Sequence, residues 1–357
     1  MKILFLVPYP TEGPSNRFRI EQYLPYLTEQ GMEWTLSPFV SSAFYWILYQ
    51  RGHTITKLMH FGMSCLRRLK DIIRLRKYDL VVVHREAFPI GPPWIERIIH
   101  RLNIPMVFDF DDSIFLPMTS GLNSRFDRFK RPGKIATIIK LSQEIIAGNE
   151  FLADFARQFN HRVTVIPSVI DTDIYRPLNH PHNKKEIVVG WIGSHSTRGY
   201  VDFLEPVFKA LISRYKNVRF ELVGTGYPIA GIDRMTARVW QLDKELADVQ
   251  GFDIGIMPMP DNIWSQGKCG FKAILYQACG IPVVCSPVGV NREIVLDEIT
   301  GHLASTQDEW ILKLSLLIED ASRQMMGKNG RQHITDYYSV TAHRERFVEV
   351  LQRAANA

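Results

Sequence analysis

The sequence predicts an α/β protein made of two doubly wound parallel-sheet domains facing a cleft. Three observations predict it. Short apolar runs rich in Val and Ile alternate with amphipathic stretches, the pattern of βαβ units whose strands are buried on both faces. The 357 residues exceed what one core of typical size holds, which points to two domains. The alternation stops at Pro177–Lys185, PLNHPHNKK, and then restarts.

Taken in order, Lys2–Val7 reads as a buried strand, followed by a Pro/Gly/Ser loop and a helix beginning near Arg17. Leu80–Val83, Met106–Phe110 and Val163–Ile166 read as further strands. Pro177–Lys185, with two prolines and no apolar periodicity, reads as a linker. Beyond it, Ile187–Ile192, Arg219–Val223, Asp253–Met257 and Pro282–Cys285 read as strands separated by helices, and from about Gln307 the chain is helical. The expected domains are residues 1–176 and 186–338, with 339–357 a last helix packing back on the first. No sequence repeat relates the halves.

Composition is that of a globular protein, 46% hydrophobic and 22% charged. The formal net charge of +6 suits anionic substrates or an acidic membrane surface. Nucleic-acid binding is disfavoured, because no strong basic face with stacking aromatics is present. The opening MKILFLVPYP has too short an apolar run for a signal peptide, and no run approaches the ~20 residues of a membrane span. Cys65, Cys269, Cys279 and Cys285 lack metal-site spacing and read as reduced thiols of a cytosolic protein.

In doubly wound sheets, ligands bind outside the carboxyl ends of the strands, so the loops after each strand are the candidates. Phe252–Gly289 is the most informative of these segments. Lys268 and Lys272 stand beside Gly270 where a helix is expected to start, although a first turn prefers Asp or Glu. With the amides of Gly270 and Phe271 they suit an anion such as a diphosphate; the alternative leaves both lysines in solvent. Gly193-Ser194-His195-Ser196-Thr197-Arg198 opens the next candidate, with small residues, hydroxyls and a guanidinium that suit phosphate. There the alternative is helix capping by Ser196 or Thr197. Gly224-Thr225-Gly226 marks only a tight turn at a strand end.

Asp109-Phe110-Asp111-Asp112 closes a strand of the first half, and alternation puts Asp109 and Asp111 on one face. Paired carboxylates can bind a divalent metal or act as acid and base, while Asp112 can simply cap the following segment. Arg17 and Arg19 follow the first strand at an expected helix start. They suit an anionic group of a ligand or, equally, the Asp cluster. Arg67–Lys77, RRLKDIIRLRK, carries six basic residues among Leu and Ile. With the upstream Phe44–Tyr49 it could touch an anionic membrane surface, although a solvated basic face is the commoner explanation.

These pieces together resemble the family-4 retaining glycosyltransferases, which have the GT-B fold of two Rossmann-like domains. The resemblance covers nearly the whole chain. It is strongest at DIGIMP (253–258), WSQGKCGFK (264–272) and ACGIPVV (278–284), with support from LVGTG (222–226), IPSVID (166–171) and Asp109–Asp112.

The resemblance implies transfer of a sugar from a UDP- or GDP-sugar, with retention of configuration, no metal ion and no other cofactor. The donor would sit mainly on the second domain, at Gly193, Ser194, Arg198, Gly224, Lys268, Gly270, Phe271 and Lys272. Arg198 falls where many members carry a lysine that neutralises the leaving diphosphate, and Ser194 where many carry a partner Arg. Lys272 matches a lysine three residues before the family's second Glu. A frequent Glu-x7-Glu pair is replaced here by Gly267 and Leu275, and Asp111 stands where many members have a His. Arg198 and Lys272 would stabilise the leaving group, with Asp111 positioning a sugar hydroxyl or receiving the acceptor proton. Arg17, Arg19 and Asp112 would face a glycan or lipid-linked acceptor. The expected role is cell-surface polysaccharide synthesis at the cytoplasmic side of a membrane. The alternative is a noncatalytic protein that binds a nucleotide or a partner.

Overall fold

The computed structural model describes residues 1–48, 50, 52–116, 133–178, 186–319 and 323–357. Residues 179–185, most of the stretch read as a linker, lie outside these. The chain forms two compact units, Met1–Ser168 with His343–Ala357, and Val169–Ala342. The chain leaves the first unit before the proline-rich stretch because residues 170–176 are tied into the second. Ile170 bridges Ser339, the Tyr175 hydroxyl donates to Glu245 at 2.8 Å, and Arg331 donates to the carbonyls of Thr172 and Tyr175.

The first unit holds strands β1 (Lys2–Val7), β2 (Glu33–Pro38), β3 (Leu80–His84), β4 (Met106–Phe110), β5 (Glu144–Ala147) and β6 (Val163–Val165). All pair in parallel, in the order β2-β1-β3-β4-β5-β6. The runs ILFLV, LVVVH and MVFDF are buried throughout, as central parallel strands covered on both faces must be. Within the same unit, Phe347 of the last helix, Val340–Ala355, stacks on Tyr23 with centroids 4.2 Å apart.

The second unit holds β7 (Ile187–Ile192), β8 (Val218–Gly224), β9 (Met235–Val239), β10 (Ile254–Met257), β11 (Val283–Cys285) and β12 (Gly301–Leu303), in the order β12-β11-β10-β7-β8-β9. Its core gathers Trp191, Leu204, Phe208, Phe220, Leu222, Ile256, Trp310 and Leu314. Each such side chain contributes roughly 1.5–3 kcal/mol when fully buried.

The α/β reading with two Rossmann-like parallel sheets holds. The strands that sequence patterning missed are edge or short ones. β2 and β9 are largely exposed, and β5 and β12 span four and three residues.

Each sheet has one point where strand order reverses: between β1 and β3 in the first unit, and between β7 and β10 in the second. There, connections leave in opposite directions and open a crevice at the strand ends. In the second unit β10 pairs with β7 only at Ile254–Val189 and Gly255–Gly190. Beyond that the buried Tyr276 hydroxyl bridges the two strands, accepting from the Ile192 amide at 2.9 Å and donating to the Ile256 carbonyl at 3.4 Å.

Candidate functional site: the strand ends of the two sheets

In the second unit the loop after β7 leads into the helix His195–Asp202, with Ser194 as its N-cap. Thr197 turns back instead, its amide and hydroxyl donating to the Ser194 carbonyl at 3.1 and 3.3 Å. The side chains of His195 and Ser196 lie outside the described residues. Arg198 is buried, pairs with Asp202 one turn on, and places its guanidinium 5.5 Å from the centroid of Tyr227, beyond β8. Gly193 and Gly224 end adjacent strands in close approach. Gly224 has φ +147°, and a Cβ there would stand 1.8 Å from the Gly193 carbonyl oxygen.

After β10 the chain makes the short helix Ile263–Gln266, started by Asn262, whose side chain accepts from the Ser265 amide at 2.9 Å. Lys268 follows this helix rather than opening the next, its amide donating to the Ser265 carbonyl at 3.1 Å. The expectation that both lysines sit in one first turn is corrected here. Lys268 lies at the end of one helix, where a cation is favoured, and Lys272 alone opposes the dipole in the first turn of Phe271–Ala278. Lys268 Nζ lies 5.6 Å from the centroid of Trp264.

Gly270 caps the second helix at φ +64°, a conformation costing an L side chain roughly 1–2 kcal/mol. A Cβ there would also meet Ile294 Cδ1 at 2.2 Å. Glycine is required twice over, and it opens the helix whose first turn carries Lys272.

Among the described residues, four buried polar atoms around these loops lack a hydrogen-bond partner: Arg198 Nε, Thr225 Oγ1, Ser265 Oγ and Asn291 Oδ1. Such atoms are rare and each costs about 1–3 kcal/mol unless something pairs with it. Sequence reading passed over Asn291. Its amide nitrogen donates to the Ser286 carbonyl at 2.9 Å, and its free oxygen would lie 3.1 Å from a Cβ on Gly270.

The first unit builds a different site at its own reversal point. Ser15, after β1, is joined to His84 at the end of β3, with Oγ 2.7 Å from Nε2, and donates to Asp111 Oδ2 at 2.8 Å. His84 Nδ1 lies 2.6 Å from Asp109 Oδ2, and Arg19 pairs with the other Asp109 oxygen while donating to the Ile166 carbonyl at 2.6 Å. Arg85 donates to Asp111 Oδ1 at 2.7 Å and stands 3.7 Å from Asp112.

Burial works against the charge on both carboxylates. For Asp109 the Arg19 and His84 contacts outweigh it, and for Asp111 the Arg85 guanidinium does, so both are held below the ordinary carboxylate range. Asp112 accepts from the adjacent Ser113 amide at 3.0 Å, a local contact rather than a helix cap. Among the described residues no group of three or more His, Cys, Asp or Glu is placed to hold a metal ion.

Two expectations change in this unit. The helix runs Pro14–Arg19, because Pro14 supplies the fixed φ of a first turn, so Arg17 and Arg19 stand in the last turn, where the dipole favours cations. Arg19 is wholly engaged inside the unit with Asp109, the second of the two roles open to it. Arg17 is buried, with its guanidinium 4.5 Å from the centroid of Phe18. His84 and Arg85 escaped the sequence reading. The strand-end rule applied to β3 would have found His84, whereas nothing in the sequence marks Arg85, whose backbone sits at φ +60°.

Residues 186–320 match the family model described as Glycosyl transferases group 1. An uncharacterised glycosyltransferase of Methanocaldococcus jannaschii is 25% identical to it over 299 residues, covering 78% of each chain. Among solved structures, sucrose-phosphate synthase from Thermosynechococcus elongatus superposes with a TM-score of 0.70 at 15% identity, covering 99% of this chain and 98% of that one. Anabaena HepE gives a TM-score of 0.69 at 16% identity, covering 99% of both. These likenesses show the GT-B fold. Leu275, at the position where the resemblance places a second Glu, is 2% exposed.

Proposed function

We propose that this chain is a retaining, metal-independent hexosyltransferase that moves a sugar from a nucleotide-diphosphate sugar to a glycan or lipid-linked acceptor in cell-surface polysaccharide synthesis. The observation that carries the reading is the second unit's reversal point. Arg198, Lys268 and Lys272, the amides opening the helix at Phe271, and the unpartnered buried atoms all belong to the loops at the strand ends. Breaking the bond to a nucleoside diphosphate builds negative charge on the leaving group, and preorganised cations and N–H donors lower that barrier. The Anabaena HepE structures hold UDP with glucose, and UDP-glucose, which supports the same donor class here.

On the acceptor side, Asp111 is the proposed contact for a sugar hydroxyl. Its depressed pKa keeps it a carboxylate that accepts a hydrogen bond rather than a strong base. Retention by double displacement would need a carboxylate nucleophile. None was identified in the sequence, so the leaving phosphate is the proposed proton acceptor.

The test is thermal stabilisation by UDP and GDP, then sugar release from the matching donor. Turnover should persist in EDTA, and NMR should show the donor's anomeric configuration in the product. A product of inverted configuration would overturn the retaining assignment. A second reading, a noncatalytic nucleotide-binding protein, is favoured by Leu275 alone, whose buried side chain offers no hydrogen bond to a ribose. Nucleotide binding without release across donors and acceptors would select it.

A further inference from the structure

The helix Thr54–Arg74 is packed with its polar side inward. Ser64 and Arg68 face the unit, and Arg68 donates to the carbonyls of Ser37 at 3.1 Å and Val7 at 3.2 Å and pairs with Asp71 at 3.1 Å. Phe61 and Cys65 join a small cluster with Phe39, Val40 and Phe44.

The opposite side is apolar and open to solvent. Ile55, Leu58, Met59, Met63, Leu66 and Ile73 are between 61% and 78% exposed. Their spacing by threes and fours lines them up as one stripe, on a helix of 21 residues about 30 Å long. Soluble surfaces rarely leave such a stripe uncovered, and a contiguous one marks an interaction site.

Charge identifies what covers it. Residues 54–77 hold seven Lys and Arg against the single acid Asp71, whose carboxylate is occupied by Arg68 and Ser37. Lys57 donates to the Gln50 carbonyl, Arg67 donates to the Pro38 carbonyl at 3.0 Å and Arg68 is buried, so the exposed cations are Lys70, Arg74, Arg76 and Lys77. The basic stretch seen in sequence is therefore only partly a surface feature; the apolar stripe beside it is the larger one. A symmetric pairing of two copies across this stripe would set like charges against each other. Among the described residues no helix is long and apolar enough to cross a membrane.

We propose that the exposed face of Thr54–Arg74 lies in the interface of a bilayer containing anionic phospholipid, with its apolar stripe among the acyl chains and Lys70, Arg74, Arg76 and Lys77 at the headgroups. This goes beyond the transfer reaction and does not depend on it.

Co-sedimentation with phosphatidylcholine vesicles, with and without phosphatidylglycerol, tests it in the absence of any nucleotide sugar. The wild-type chain should sediment with the anionic vesicles and remain soluble with the neutral ones. Leu58→Asn with Leu66→Asn and Ile73→Asn, and separately Lys70→Gln with Arg74→Gln, should each lower the bound fraction about tenfold or more, from roughly 1 kcal/mol per cation and a similar or larger amount per buried apolar group. Both sets replace exposed residues, so unchanged melting curves control for folding. Wild-type protein that stays in the supernatant with anionic vesicles overturns the proposal, as does undiminished binding by either variant. So does light scattering that shows a dimer dispersed by the apolar variant in place of vesicle binding.

Discussion

The two units reverse strand order at corresponding places and fill those places with opposite chemistry. At the first reversal point, Asp109, Asp111 and Asp112 face Arg19, Arg85 and His84, and Ser15 bridges the two groups. At the second, the loops carry Arg198, Lys268 and Lys272 on glycine-rich backbone, with no acidic residue in Trp264–Lys272. The first crevice pairs its charges with one another inside the unit. The second gathers cations on its loops, where the buried donors Arg198 Nε, Thr225 Oγ1 and Ser265 Oγ have no hydrogen-bond partner among the described residues. Topology locates a site in both units, but side chains after the strands decide whether it supports structure or holds a ligand.

The largest expected effect tests the first half of that contrast. Asp109→Ala strands a buried Arg19 and should cost about 3–5 kcal/mol in denaturant unfolding. A loss under about 1 kcal/mol would mean the network is not structural. Next, Lys272→Ala should lower turnover about 10²–10³-fold with an unchanged melting temperature, and should abolish stabilisation by UDP or GDP. Asp111→Asn should keep that nucleotide stabilisation, and losing it would erase the distinction between the two crevices.

The pH response has a definite sign. Folding lowers the pKa of Asp109 and Asp111, so their contribution is complete above the unfolded value near ~4 and is lost as pH falls through the folded values. Stability at pH 3 relative to pH 7 should recover by about 1–2 kcal/mol in Asp111→Asn, measured by urea titration. The smallest effect belongs to Ser15→Ala, about 1 kcal/mol of stability with nucleotide binding untouched.

Much of the second site was legible because its signals are local. Gly224 ends a recognisable strand, Gly270 and Lys272 open a recognisable helix, and a glycine beside a misplaced lysine can be read without knowing any partner. Lys268 was misplaced by one element because a four-residue helix leaves no periodicity to read. The first site was legible only as a list of charges. Arg19 and Asp109 are 90 positions apart, and whether they pair or face a ligand depends on β1 and β4 flanking β3 in the sheet.

The sequence alone determined that this chain forms two parallel α/β sheets, because continuous Val- and Ile-rich runs are stable only when both faces are covered. It also marked the strand ends as the candidate ligand sites, since those ends follow from the same runs. Only the tertiary structure decided which charges are neutralised inside the fold and which side of Thr54–Arg74 faces out. Periodicity shows that a helix has two faces. Which one is buried depends on residues distant in sequence, here the carbonyls of Val7 and Ser37 that draw Arg68 inward and turn the apolar stripe to the outside.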